Sequence, residues 1–315
     1  MISDPIFIIS VVGMTFVMAS WILSTTKEDY KNNFFANNTS ALSSVFGIMM
    51  LYSIFINAGD LSVVLLFGTI ISLLVLFAGL YLKNNEIIST SRGYFIPIFL
   101  IFIFRTFIYE PYQIPSGSMM PGLKVGDFLL VNKSSYGYKV LRVGNPQISY
   151  SDPNYGDVVV FVPKHNPVPY VKRLIGMPGD KITIINKQVY VNGRPINKTF
   201  NRSEEEVITK RYRDVSGNIT VKEKNVIVDY FYEEHGDKKY ITRNIRGEND
   251  QFPSEWTVPN DQYFVLGDNR DNSNDSTKDV GFVPRENFFG EAGYLFMTWE
   301  CWTCIPYFSR VGKIN

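Results

Sequence analysis

The sequence predicts membrane-spanning α-helices followed by an all-β domain that carries a β-rich insert. Three observations predict it. Residues 1–109 are dominated by Ile, Leu, Phe, Val and Met, gathered in four long apolar runs. Residues 110–315 carry charges and turn residues like an ordinary soluble domain. Within that second part, short strand-like runs alternate with Gly, Pro, Asn and Asp clusters, and no helical period is convincing. The expected segments are a membrane domain (1–109), a β domain in two pieces (110–195 and 261–315) and an inserted β-rich subdomain (196–260).

The apolar runs come first. Residues 6–23 are near the minimum length for a membrane span. The stretch before them has no basic residue, which argues against a cleavable signal peptide. Residues 41–58 form a second run, diluted by Ser43, Ser44, Tyr52, Ser53 and Asn57. Gly59 and Asp60 form a tight turn. Residues 61–82 are the clearest run, 22 residues that rise about 33 Å as a helix. Residues 83–92 read as a polar loop. Residues 93–109 complete the set; they contain Pro97, and Arg105 sits within snorkelling distance of the end. Lys27, Lys31, Lys83 and Arg92 fall in the first and third connections, whereas Asp4 and Asp60 mark the N-terminus and the second. The excess of Lys and Arg on one side predicts that the first and third connections are cytoplasmic and that everything past residue 109 is outside.

In the second part, residues 127–132, 156–163, 170–176, 181–185 and 188–191 read as strands, with Asn192-Gly193 as a hairpin turn. Residues 226–232 and 263–266 read the same way. The segment 202–247 mixes charges of both signs and reads as a solvated surface. A formal net charge of +1 gives no electrostatic case for a nucleic-acid partner. The two cysteines, Cys301 and Cys304, are too few for a zinc site with only His165 and His235 to help. They are left as a structural disulfide or two free thiols. Trp299 and Trp302 are candidates for the membrane interface or for the core.

One stretch bears chemistry: Tyr109 to Pro121, between the last apolar run and the first strand. Pro115 and Pro121 hold the chain extended around Ser116-Gly117-Ser118. Gly117 removes a Cβ beside Ser118, and Ser116 puts a second hydroxyl on the same face. Taken alone, Ser-Gly-Ser is a common polar turn. A serine nucleophile needs a base, and both histidines read as surface residues. The alternative is a lysine desolvated in an apolar strand, where burial leaves part of it neutral near pH 7. Lys172, flanked by Tyr170, Val171, Leu174 and Ile175, fits.

Arg105 through Lys133, with Pro115-Ser116-Gly117-Ser118-Met119-Met120-Pro121 and Gly126-Asp127, resembles the nucleophile box of bacterial type I signal peptidases. Gly156-Asp157-Val158-Val159-Val160-Phe161 resembles the next box. Tyr170-Val171-Lys172-Arg173 with Gly176-Met177-Pro178-Gly179-Asp180 resembles the lysine box. Gly267 to Ser276, followed by Gly281-Phe282-Val283-Pro284, resembles the last. The four occur in family order, and the resemblance covers roughly residues 100–315. Ser309-Arg310-Val311-Gly312 also resembles the C-terminus of the proteobacterial enzymes.

The resemblance implies a signal-peptidase-like β fold and a membrane-bound serine endopeptidase with a Ser/Lys dyad and no cofactor or metal. Ser118 would be the nucleophile and Lys172 the general base. The Ser118 N–H and the Ser116 hydroxyl would form the oxyanion hole. Ser273 would orient the Lys172 amine and Asp275 would support that region. Ile114, Pro115, Met119, Leu123 and Val171 would line shallow pockets for small substrate side chains. The substrates would be preproteins with N-terminal signal peptides, cut at the periplasmic face of the bacterial cytoplasmic membrane, with the lipid bilayer and the export machinery as neighbours. Three departures stand out. Thr277 takes the place of a usual arginine, so Lys278 or Arg270 is expected to pair with Asp275. Gly122 replaces a usual threonine and is expected to loosen its turn. Four apolar runs replace the familiar two; both counts are even, so the catalytic side is the same. The competing readings are a membrane-anchored β domain that binds exported proteins without cutting them, and a self-cleaving repressor with the same dyad. A pure binder has no use for the Ser118–Lys172 pairing, and the four apolar runs argue against a repressor.

Overall fold

The computed structural model describes residues 4–30, 33–57, 60–138, 148–149, 151–166, 168–213, 219–248, 254–301 and 303–314. It divides into a helical unit, mainly residues 1–109, and a β unit that holds the rest apart from residues 139–146.

The helical unit has four helices long and apolar enough to cross a membrane, Pro5–Thr26, Thr39–Ile56, Leu61–Leu82 and Asn85–Ile108. Their composition explains the packing. Small polar residues such as Ser10, Ser53, Ser62, Ser72 and Ser91 are buried between helices, where they let backbones approach. Large apolar side chains face outward: Phe55 is 86% exposed and Leu74 60%. That pattern suits lipid rather than water as the surrounding medium. The fourth helix corrects the sequence expectation of a polar loop over 83–92. Lys83 closes the third helix in the left-handed conformation, its N–H bonded to the Gly79 and Leu80 carbonyls. Asn84 immediately caps the next helix, accepting from the Glu86 and Ile87 N–H groups. Polar residues there mark a cap rather than a loop. The helix ends in a π-helical turn at Phe104–Ile108. The proposed turn at Gly59 lies outside the described residues; Asp60 caps the third helix through the Ser62 N–H.

The β unit is built on an eight-stranded antiparallel sheet with the main order Tyr109–Gln113, Asp127–Asn132, Phe288–Thr298, Val158–Phe161, Tyr170–Gly176, Gln262–Leu266, Val283–Pro284. Register shifts in the long Phe288–Thr298 strand, against both of its neighbours, bend the sheet into a curl. Val158–Phe161 is central and wholly buried. Val158 and Val160 belong to one apolar cluster, with Met119, Leu129 and Leu295. Val159 and Phe161 belong to another, with Leu174, Val265 and Phe288. Two cores, one per face, are why this strand reads as an unbroken apolar run.

A four-stranded sheet contains Ser254–Thr257, Lys181–Ile185, Gln188–Val191 and Arg194–Pro195. A three-stranded sheet contains Asn197–Arg213, Ile219–His235 and Lys238–Ile245. The charged segment is therefore not simply a solvated surface. Glu233 and Arg243 are buried, and each has an ionic partner, Arg270 and Glu206 respectively. His235 is also drawn inward: its Nε2 lies 2.8 Å from the Ile175 carbonyl and its ring 4.7 Å from that of Tyr155. Burial lowers its pKa.

Arg173 and Asp268 form a buried ion pair, each 2% exposed. Two parallel bonds join them, Nε–Oδ1 at 2.8 Å and Nη2–Oδ2 at 2.7 Å. Replacing Asp268 with Ala strands a buried guanidinium, and we expect a loss of about 3–5 kcal/mol, measured as a lowered melting temperature of the full chain in detergent.

Candidate active site

The segment that bears Ser118 is closed at its base by strand-like pairing. Ile114 donates to the Asp127 carbonyl at 2.8 Å and Gly126 donates to the Ile114 carbonyl at 2.9 Å. Between them the chain makes a 3₁₀ turn, Gly117–Met119. Met119 and Leu123 anchor the segment in the core, at 1% and 2% exposure. Gly122 does not loosen the turn. The Leu123 N–H donates to the Met119 carbonyl at 2.9 Å, and Arg310 donates to the Gly122 carbonyl at 2.9 Å.

Lys172 comes from the central sheet. It is registered opposite Val159, and Arg173 opposite Val158, so the two cations leave the strand on opposite faces. Arg173 takes the ionic partner. Lys172 is 3% exposed, and its Nζ donates to Ser118 Oγ at 2.7 Å and to the Val171 carbonyl at 3.0 Å. Burial pulls its pKa down from 10.5 to about 8, against the opposing pull of Asp275 and Asp268. Ser116 Oγ stands 3.4 Å from Ser118 Oγ, a long contact. No histidine lines this cavity among the described residues.

The loop after Leu266 completes the surroundings. A Cβ built on Gly267 would overlap Ser273 Oγ and the Ser118 carbonyl, so no larger residue fits. Ser273 Oγ is buried and has no hydrogen-bond partner among the described residues; no bond joins it to Lys172. Asp275 accepts from the Gly267 N–H at 3.0 Å and from the Thr277 hydroxyl at 2.7 Å and N–H at 3.2 Å. Thr277 thus holds the carboxylate itself. The expected substitutes are engaged elsewhere: Lys278 donates to the Ser273 carbonyl at 2.7 Å and Arg270 pairs with Glu233.

A cavity of about 340 Å³ opens beside Ser118 and Lys172, lined also by Ile114, Pro115, Met119 and Val171. Leu123 lies apart from the other pocket candidates, on a second cavity of about 580 Å³ that shares the Met119 wall. Asn269 is a site residue that the sequence reading did not single out. Its N–H donates to the Ser118 carbonyl at 3.1 Å, and its Nδ2 donates to the Gly117 carbonyl at 2.9 Å. A polar run starting with glycine was the only signal for it. Cys301 and Cys304 are joined in a disulfide. In the loop that it closes, the Trp299 indole donates to the Cys304 carbonyl; Trp302 lies outside the described residues.

A family model, signal peptidase, peptidase S26, matches residues 87–299. The chain belongs to this family. The signal peptidase I of Pseudomonas aeruginosa is 36% identical over 246 residues, covering 74% of this chain and 81% of that one. The signal peptidase I of Buchnera aphidicola subsp. Acyrthosiphon pisum is 37% identical over 266 residues, covering 74% and 84%. A crystal structure of a signal peptidase I from Enterococcus faecalis V583 matches at 26% identity and a TM-score of 0.26, covering 45% of this chain and 98% of that one. As a member of the S26 family, this chain is a serine peptidase that removes signal peptides, and the apolar helices mark it as a membrane protein.

Two outcomes follow from the geometry. Gly267→Ala displaces the Ser118 carbonyl, and a shift of about 1 Å at a reacting group costs about 10²-fold; preprotein cleavage is expected to fall at least that far. Lys172→Met tests the buried amine. The folded chain takes up the proton near pH 8 and the unfolded chain near 10.5. Between those values the unfolded state binds more protons, so stability rises with pH there, and the penalty is complete below pH 8. The Met variant is therefore expected to exceed the wild type by at most about 3 kcal/mol at pH 7. That gap should close as pH rises to 10.5, read from paired melting curves.

Proposed function

We propose that this chain cleaves preproteins at the outer face of the bacterial cytoplasmic membrane with Ser118 as nucleophile and Lys172 as general base. The observation that carries the mechanism is the 2.7 Å contact between Lys172 Nζ and Ser118 Oγ, made by a buried amine. With its pKa lowered to about 8, neutral Lys172 takes the Ser118 proton as Oγ attacks the scissile carbonyl. The lysinium so formed keeps its bond to the Val171 carbonyl and is favoured by the Asp275 and Asp268 carboxylates. It then protonates the departing amine. Lys172, neutral again, deprotonates the water that splits the acyl–Ser118 ester, then returns that proton to the departing Ser118 Oγ. The Ser118 N–H and the Ser116 hydroxyl stabilise the negative oxygen of each tetrahedral intermediate. Asp275 serves as an electrostatic support, fixed by Gly267 and Thr277, and Ser273 fills the space beside Gly267. Ile114, Pro115, Met119 and Val171 bound a cavity small enough to favour short side chains, with Leu123 behind Met119.

Loop charge supports the orientation. Lys27 and Lys31 follow the first helix and Lys83 the third, whereas Asp60 alone is charged in the second connection, 57–60. Short cytoplasmic loops carry the excess of Lys and Arg, which supports a β unit on the outside, the periplasmic side in a double-membraned cell. There a signal peptide anchored in the bilayer and delivered by the export machinery exposes its scissile bond. The four helices are the membrane domain (1–109), 110–195 with 261–315 the catalytic part, and 196–260 the insert.

In detergent, Ser118→Ala and Lys172→Ala are each expected to lower preprotein cleavage by about 10⁴-fold or more. Wild-type kcat/KM should rise with pH through about 8, as Lys172 loses its proton. Undiminished activity in either variant would remove that residue from the mechanism.

A further inference from the structure

The loop Asp268–Asp271 stands between two structures. On one side it grips the nucleophile segment through the two Asn269 bonds. The Gly117 carbonyl, held by Asn269 Nδ2 at 2.9 Å, shares one rigid peptide plane with the Ser118 N–H. Fixing that carbonyl therefore aims the N–H that faces the developing oxyanion.

On its other side the loop is held by the insert. Arg243 donates its N–H to the Asp268 carbonyl at 2.9 Å, and Arg270 donates its own to the Arg243 carbonyl at 3.1 Å. The Ile245 N–H donates to Asp271 Oδ2 at 2.6 Å. Lys187 Nζ approaches the same oxygen at 3.1 Å. Glu233, 1% exposed, binds the Arg270 guanidinium and accepts the Thr242 hydroxyl at 3.1 Å. Every residue from Asp268 to Asp271 thus makes a bond that leads either to the Ser118 backbone or to the strand Lys238–Ile245 and its neighbours. Charge-assisted bonds between buried partners are short and directional, so they fix position more sharply than apolar packing does.

We propose that the insert is a clamp on the oxyanion hole, with Glu233 and Asp271 as positioning residues that act through Asn269 on the Gly117–Ser118 peptide. The inference rests on Ser118 being the nucleophile. The insert's strand Lys238–Ile245 then works as a wall against which the catalytic backbone is registered.

The test uses the full chain in detergent with a preprotein substrate. Glu233→Gln and Asp271→Ala are each expected to lower kcat at least about tenfold with KM within about twofold, because an oxyanion donor acts on the transition state rather than on the bound substrate. Asp271→Asn keeps an oxygen for the Ile245 N–H and should stay within about threefold of wild type. Ile208→Ala, at the edge of the insert's own apolar cluster and registered opposite Lys224 rather than a clamp residue, lowers the melting temperature and should leave kcat within about twofold. Unchanged kcat in both Glu233→Gln and Asp271→Ala would overturn the clamp. So would a matching loss of kcat in Ile208→Ala, which would make the effect one of general softening. If Glu233→Gln does not fold, the Asp271→Ala and Asp271→Asn pair decides alone. Full cleavage by Ser118→Ala defeats the nucleophile assignment instead, so the two failures are told apart.

Discussion

The site depends on the ion pair between Arg173 and Asp268. Arg173 leaves the central sheet on the face opposite Lys172, and the pair ties that strand to the loop after Leu266 by two parallel bonds. The same guanidinium donates to the Gly156 carbonyl at 2.7 Å and lies 3.6 Å from the centre of the Tyr240 ring. Planar, forked and permanently charged, arginine can satisfy a carboxylate, a carbonyl and an aromatic face together; lysine in its place could not. With Asp268 fixed, Gly267 and Asn269 on either side of it fall against the Ser118 backbone. One lock thus sets Lys172 and Ser118, which come from distant parts of the chain.

Lys172 gains its chemistry from the absence of such a lock. Neighbouring residues on one strand share nearly the same depth, yet one cation is paired and the other is not. Among the described residues, the unpaired one meets the hydroxyl of Ser118 and a backbone carbonyl, with the Tyr170 ring centre 5.4 Å away. Desolvation then outweighs the more distant pull of Asp275 and Asp268. Moving a carboxylate into direct contact would restore the ammonium and remove the base. The hold of Thr277 on Asp275 fits this arrangement: the carboxylate is fixed by neutral donors rather than by the Lys172 amine.

Much of this was legible in the residues. Apolar runs gave the four helices, and alternating or continuous apolar stretches gave the central strands, because burial imposes a period on the sequence. Ser118 and Lys172 were singled out through motif and environment, and the fold brings them into contact. Long-range partnerships were not. The cap at Asn84 looked like part of a loop, since polar residues end helices and fill loops alike. Glu233, Arg243 and His235 looked solvated because nothing local announces a buried partner such as Arg270, Glu206 or the Ile175 carbonyl. The role of Thr277 was hidden for the reverse reason: its partner is only two residues away, and the expectation was fixed on an arginine.

The long hairpin of the insert has one more consequence. Asn197–Arg213, 17 residues long, is the outermost strand of its sheet, so its far side carries a row of backbone donors and acceptors that no strand of this sheet covers. Such an open margin invites the extended segments of other chains to add to it. For a peptidase that acts on signal-peptide-bearing preproteins, that is a standing hazard. Lys198, Arg202, Glu204, Glu205 and Glu206 crowd this one strand. Each incoming chain would have to desolvate those charges to pair with it, so the mixed-sign composition of the insert protects the enzyme from being captured by its own traffic.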